Sequence, residues 1–238
     1  MKITAEEKNM RELIREFLGL FYNNGWVTGT GGGICASLDE TNVLIAPTGV
    51  HKERVLPEEL FVVDRTNGKV VRAPRNNTLG ISECSPIFCQ IMNQRGVGAV
   101  MHSHALSAVL AADTAMGKDH FLIEGLEMLK GIAGENNKSR HFVPIVNNTL
   151  YERELTQEIQ LRLDKTRFAS SYCILVRDHG AYIWGRDIWE TKRHAEVYHY
   201  LFEATVARKK MGVKRNESPL TLAGPLAGTG TLRGAGHH

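Results

Sequence analysis

The sequence predicts an α/β protein whose sheet is largely antiparallel. Three observations carry that expectation. Residues 4–24 form an amphipathic helix, residues 34–71 hold short apolar runs separated by tight turns, and the apolar run 173–176 is followed almost at once by a second, 181–185, that pairs back on it. With 238 residues, 42% of them hydrophobic, the chain suits one large globular domain or two small ones and can bury a core without staples. A single domain over residues 1–211 is expected. A Gly-, Pro- and Thr-rich flexible tail over residues 212–238 has little to bury.

The first helix places Met10, Leu13, Ile14, Phe17, Leu18 and Phe21 on one face, with Thr4 and Glu7 as a capping box and Asn23-Asn24-Gly25 as its stop. A glycine-rich run, residues 28–33, leads into strands at 34–38 and 43–46. Residues 61–64 and 69–71 form a hairpin about Thr66-Asn67-Gly68. Ser85 and Pro86 open a helix to about Arg95, with Pro86 at its first position. A buried strand then runs into His102-Ser103-His104, followed by a small-residue helix over 105–112 and an apolar run at 121–123. Residues 143–146 form a short strand whose Pro144 suits an edge or a strand start. Thr149 with Glu152 caps a helix to about Lys165, and Asp187 with Glu190 caps a last one to about Lys210.

Several function classes are disfavoured. The formal charge is +3, and Lys and Arg do not cluster among aromatic residues, so no nucleic-acid surface is expected. No apolar run reaches the ~18–20 residues of a membrane span, and the charged start has no signal-like apolar stretch. Four cysteines without C-x-x-C spacing fit a reducing, cytoplasmic setting.

Residues i and i+2 of a strand share a face, so the roots of His102 and His104 stand roughly 6–7 Å apart. That suits two ligands converging on one ion, or two polar residues on an open edge. His179 stands at the end of the 173–176 strand and supplies a third nitrogen, which would leave one coordination position for water or substrate. Glu83, 19 residues before His102, and Glu127 are each either a general acid/base or a solvated helix-start carboxylate. Cys84 is either a thiolate favoured by a helix N-terminus or a small buried hydrophobe. The backbone of residues 28–33, with Thr48, Gly49, Lys52 and Arg54 nearby, suits a phosphomonoester or merely a turn.

Together, TGTGGGICAS, IAPTGVHKER, PEELFVVD, ECSPIF, GAVMHSHA, LEMLKGI, VPIVNNT and LVRDHGAYIWG resemble the class II aldolase/adducin-like family, in order across nearly the whole ordered chain. ECSP, LEMLKGI and VRDHGAYIWG are similar to its dehydratase branch. The resemblance implies a three-layer α/β/α fold around a mostly antiparallel sheet, assembled as a homotetramer with sites near subunit interfaces. It implies one Zn²⁺ per subunit on His102, His104 and His179, and Glu127 as catalytic acid/base. It also implies substrate contacts from Cys84, Gly31, Gly32, Thr48, Gly49 and Ser82. The implied reaction is dehydration of a sugar phosphate, 5-methylthioribulose 1-phosphate, in methionine salvage. The alternative is a zinc-dependent aldolase or epimerase of the same family. Glu83 stands where the family's aldolases keep their catalytic glutamate, so it competes with Glu127 for the proton-transfer role.

Overall fold

The computed structural model describes residues 3–213. Apart from Gly212 and Val213, the expected tail lies outside them. Nine strands make one sheet: β1 (Gly33–Ser37), β2 (Asn42–Ile45), β3 (Phe61–Asp64), β4 (Val70–Arg72), β5 (Ala99–Ser103), β6 (His120–Glu124), β7 (Arg140–Val146), β8 (Cys173–Val176) and β9 (Gly180–Gly185). Their order is β4-β3-β2-β1-β5-β9-β8-β7-β6, and β7 with β8 is the parallel pair in an otherwise antiparallel sheet.

Strand alternation builds the layers. Ile34 and Ala36 of β1, Met101 of β5 and Ile183 of β9 face a core shared with α1 (Ala5–Asn23), α3 (Leu106–Asp113) and α5 (Ile188–Lys210). Cys35, Val100, Tyr182 and Trp184 face the opposite core, shared with α2 (Ser85–Arg95) and α4 (Leu155–Leu163). The three-layer α/β/α arrangement is therefore present. On α1, Ile14, Phe17, Leu18 and Phe21 are buried, and each such side chain contributes about 1.5–3 kcal/mol.

Local chemistry departs from the sequence reading at four places. Thr4 Oγ1 accepts from the Glu7 amide, but the box is not closed from the other side. The buried Glu7 carboxylate turns to the guanidinium groups of Arg11 and Arg72 instead. Cys84 is the N-cap of α2, so Pro86 is its second residue. Pro144 is inside the sheet, on a strand with neighbours on both sides. It is tolerated because pairing with β6 reaches Pro144, opposite His120, and pairing with β8 starts only at Ile145. Finally, Thr149 and Glu152 do not cap α4. Thr149 Oγ1 donates to the Tyr151 carbonyl, residues 152–154 form a 3₁₀ turn, and Glu152 points elsewhere.

Where it points follows from topology. Gly33 of β1 pairs with His102, Ser103 with Ala181, and Val146 with Val176. The glycine-rich loop before β1, the end of β5, the segment after β7 and the β8–β9 turn therefore meet at one end of the sheet.

Candidate metal centre

His102, on the last full turn of the pleat in β5, is fully buried and its ring stacks on Tyr182 with centroids 4.1 Å apart and planes 7° from parallel. Its Nδ1 lies 3.1 Å from the Ala181 carbonyl oxygen. A carbonyl only accepts, so Nδ1 carries the proton and donates, leaving Nε2 with a bare lone pair. His104 is just past the strand end, where its amide donates to the Trp26 carbonyl at 2.8 Å. Between the two, Ser103 turns to the other face and meets the buried His199 at 3.0 Å.

His179 comes from the β8–β9 turn. Asp178 before it adopts φ 54°, in the left-handed region that Asp tolerates better than most residues. Gly180 after it lies against β5, where a Cβ would sit 1.9 Å from the Ser103 carbonyl oxygen. That close approach needs glycine and brings His179 to the pair. Its Nδ1 is 3.1 Å from Asn148 Oδ1, which again directs Nε2 inward.

The three Nε2 atoms form a triangle with edges of 2.9, 3.1 and 3.2 Å. Four-coordinate zinc with bonds of about 2.0–2.1 Å separates its nitrogen ligands by roughly 3.3 Å. The bare lone pairs of His102 and His179 facing each other at this range repel unless a cation lies between them, so the donor set fits a divalent metal. Burial, together with the neighbouring imidazoles, holds His104 down to about 3 and His179 to about 4. Both are then neutral at pH 7, as metal ligands must be.

A carboxylate that local sequence assigned to helix capping completes the cluster. Glu152 Oε1 lies 3.0 Å from His102 Nε2 and 3.7 Å from His179 Nε2, accepts from Tyr182 Oη at 2.6 Å, and is 3.2 Å from Cys84 Sγ. Against the cost of its partial burial, the hydrogen bonds from Tyr182 and Cys84 favour its ionised form. Cys84 is the converse case. Burial and the adjacent Glu152 charge push its thiol far up, so it is a protonated donor and not the thiolate that a helix N-terminus favours.

Three segments expected to meet phosphate assemble beside this cluster. Gly31 packs on the His104 ring, and Gly32 (φ 70°) packs on the His102 carbonyl. Buried Lys52 donates to the carbonyls of Thr30 (2.8 Å) and Val50 (3.2 Å), tying the glycine loop to the loop of Thr48 and Gly49. The Thr48 amide donates to the Gly80 carbonyl, and Ser82 Oγ accepts from the Cys84 amide at 3.2 Å. The two other glutamates stand apart from the cluster. Glu83 is exposed, and Glu127 is exposed on a 3₁₀ turn (Glu127–Gly131) with its carboxylate against Lys130 and, at 2.7 Å, Asn137.

The profile of the Class II Aldolase and Adducin N-terminal domain matches residues 12–206, which include every strand and all three histidines. The chain belongs to the class II aldolase and adducin family. Within it, the chain is 42% identical over 218 residues to a methylthioribulose-1-phosphate dehydratase of Aquarana catesbeiana, covering 88% of this chain and 89% of that one. A protein of the same name from Mus musculus is 38% identical over 222 residues, covering 90% of each. Among solved structures, YgbL of Escherichia coli superposes with a TM-score of 0.70 at 19% identity, covering 85% of this chain and 90% of that one. At that identity the likeness establishes the class II aldolase fold alone.

Sequence reasoning missed Glu152 and Tyr182. The VPIVNNT stretch was visible as a strand and turn, and its end beside the strand bearing His179 is the signal that could have drawn Glu152 to the site.

Proposed function

We propose that this chain is a metal-dependent hydro-lyase that removes water from 5-methylthioribulose 1-phosphate, yielding 2,3-diketo-5-methylthiopentyl 1-phosphate in methionine salvage. The single observation that carries the reading is the triangle of inward-facing Nε2 atoms, in a chain about two-fifths identical to dehydratases of that name along most of its length. Zinc is the ion we assign, one per chain; when bound it supplies a Lewis acid that polarises the substrate carbonyl and acidifies the neighbouring C–H.

The chain's own residues supply the rest. Dehydration moves the C3 proton to a base and gives a proton to the C4 hydroxyl as it leaves, so one carboxyl group can serve both steps with no net change. We assign that role to Glu127. In its own chain this side chain is exposed and directed to Lys130 and Asn137, so the assignment requires a second copy, with Glu127 entering the neighbour's site within a homotetramer. The peptide groups of Gly31, Gly32, Thr48 and Gly49, with Ser82, are the proposed phosphate contacts, and Cys84 lines the substrate side. Among the described residues no helix is long and apolar enough to cross a membrane, and all four cysteines are buried and unpaired, which supports a reducing cytoplasmic setting.

The test is incubation of zinc-loaded protein with 5-methylthioribulose 1-phosphate and analysis of products by mass. Metal-dependent loss of one water is expected. Cleavage to dihydroxyacetone phosphate and an aldehyde, or isomerisation without mass change, would overturn the dehydratase reading in favour of an aldolase or epimerase.

A further inference from the structure

We infer that Glu152 is the fourth ligand of the resting metal centre, held in place by the Tyr182 hydroxyl, and that neither Glu83 nor Cys84 has this role. The inference rests on the metal reading above and concerns a residue from a different element, the segment after β7, than the glutamate preceding α2.

Three imidazoles leave a coordination position on an ion held among them, and a carboxylate reaching in from beside the triangle can fill it. Glu152 Oε1 lies beside the triangle, over its His102–His179 edge, 3.0 and 3.7 Å from those nitrogens and out of contact range of His104. Glu83, by contrast, is exposed. Cys84 Sγ makes its contact with Glu152 Oε1, at 3.2 Å, and so meets the cluster through that carboxylate. A half-buried carboxylate oxygen that accepts from one hydroxyl and one thiol keeps lone-pair capacity for a cation held among the imidazoles.

Tyr182 fixes the geometry twice over. Its ring stacks on His102 and its hydroxyl donates to Glu152 at 2.6 Å, so one rigid strand residue orients both a histidine and the carboxylate. It pairs directly with His102 across β5 and β9, which makes that coupling a property of the sheet register. Tyr182 is thus a positioning residue for the ligand set.

The test uses the full chain stripped of metal and titrated with Co²⁺, whose visible absorption reports its ligands, and with Zn²⁺ in competition. Wild type should bind one Co²⁺ per chain. Glu152→Gln, nearly isosteric and still able to accept from Tyr182, should bind Co²⁺ at least tenfold more weakly with an altered visible spectrum. Tyr182→Phe keeps the stacked ring and should weaken binding about tenfold, with a smaller spectral change. Glu83→Gln should match wild type. Circular dichroism on each variant separates ligand loss from unfolding. An unchanged Co²⁺ spectrum and affinity in Glu152→Gln would overturn the proposal, as would a thiolate-to-cobalt charge-transfer band lost in Cys84→Ala. If wild type itself bound no Co²⁺ or Zn²⁺, the metal reading would fall and the ligand assignment with it.

Discussion

Substitution of Gly31 by alanine tests what the glycine-rich loop does before any substrate arrives. A Cβ at residue 31 would stand 2.7 Å from His104 Nδ1 and 2.9 Å from Cε1, while ordinary contact begins at 3.4 Å. Either the loop or the imidazole must therefore move by about 0.7 Å. The loop is restrained, because the Gly31 amide donates to the Thr28 carbonyl and Lys52 holds the Thr30 carbonyl. The His104 ring is the softer side. Metal–ligand distances tolerate only about 0.2 Å, so a displaced His104 detunes the triangle. Gly31→Ala should weaken Zn²⁺ affinity by about 10–100-fold, the scale of a disturbed supporting contact, with the fold retained. Gly29→Ala is the control: Gly29 has φ 64° and open space around its Cβ, so the variant carries backbone strain of about 1 kcal/mol without touching a ligand. Chelator-competition titrations and thermal melts of the apo forms decide the matter. Wild-type affinity in Gly31→Ala, or equal losses in both variants, would refute the idea that glycine is required there for the histidine.

Other outcomes follow from the same geometry. His102→Ala should lose both bound metal and turnover, checked by metal analysis beside the product assay, since it removes the central nitrogen and leaves the Tyr182 ring unstacked. Glu127→Gln should retain its metal and lose turnover. Mixed with His102→Ala in reassembled oligomers it should recover up to about a quarter of wild-type activity, the fraction of shared sites that are intact, and no recovery would place Glu127 outside the neighbour's site. Glu135, 2.8 Å from the buried His141, is held down to about 2 chiefly by that hydrogen bond. A depressed carboxylate contributes stability that is complete above its unfolded value near 4.5 and lost as pH falls toward 2. Glu135→Gln should therefore destabilise the protein by about 1–2 kcal/mol at pH 7 after allowing for solvent screening, and the difference in urea midpoints should shrink as pH falls from 4.5 through about 2.

Much of this protein is written locally in its sequence. The spacing of Ile14, Phe17, Leu18 and Phe21 needs only a helix to become a buried stripe, and the alternation in β5 needs only a strand to set His102 apart from Met101. The histidine cluster was legible for the same reason, because a strand end fixes the direction of the side chains it carries. The other half of the centre depended on neighbours distant in sequence. Thr149 and Glu152 have the spacing of a helix cap, and nothing within a turn of them distinguishes a carboxylate that caps from one that reaches a cluster. That choice is made by the parallel docking of β7 on β8, which carries residues 147–152 to the mouth formed by β5 and β9. Cys84, from its place before α2, could be an activated thiol or a small buried side chain; its burial in the fold, with the Glu152 charge beside it, favours the protonated form. Glu127 keeps its motif but projects from the surface of its own chain, so its role is set by what packs there. Hydrophobic periodicity and strand alternation are short-range properties that a sequence states by itself; the field at a buried group is the sum over side chains the fold brings together, and only the tertiary structure decides it.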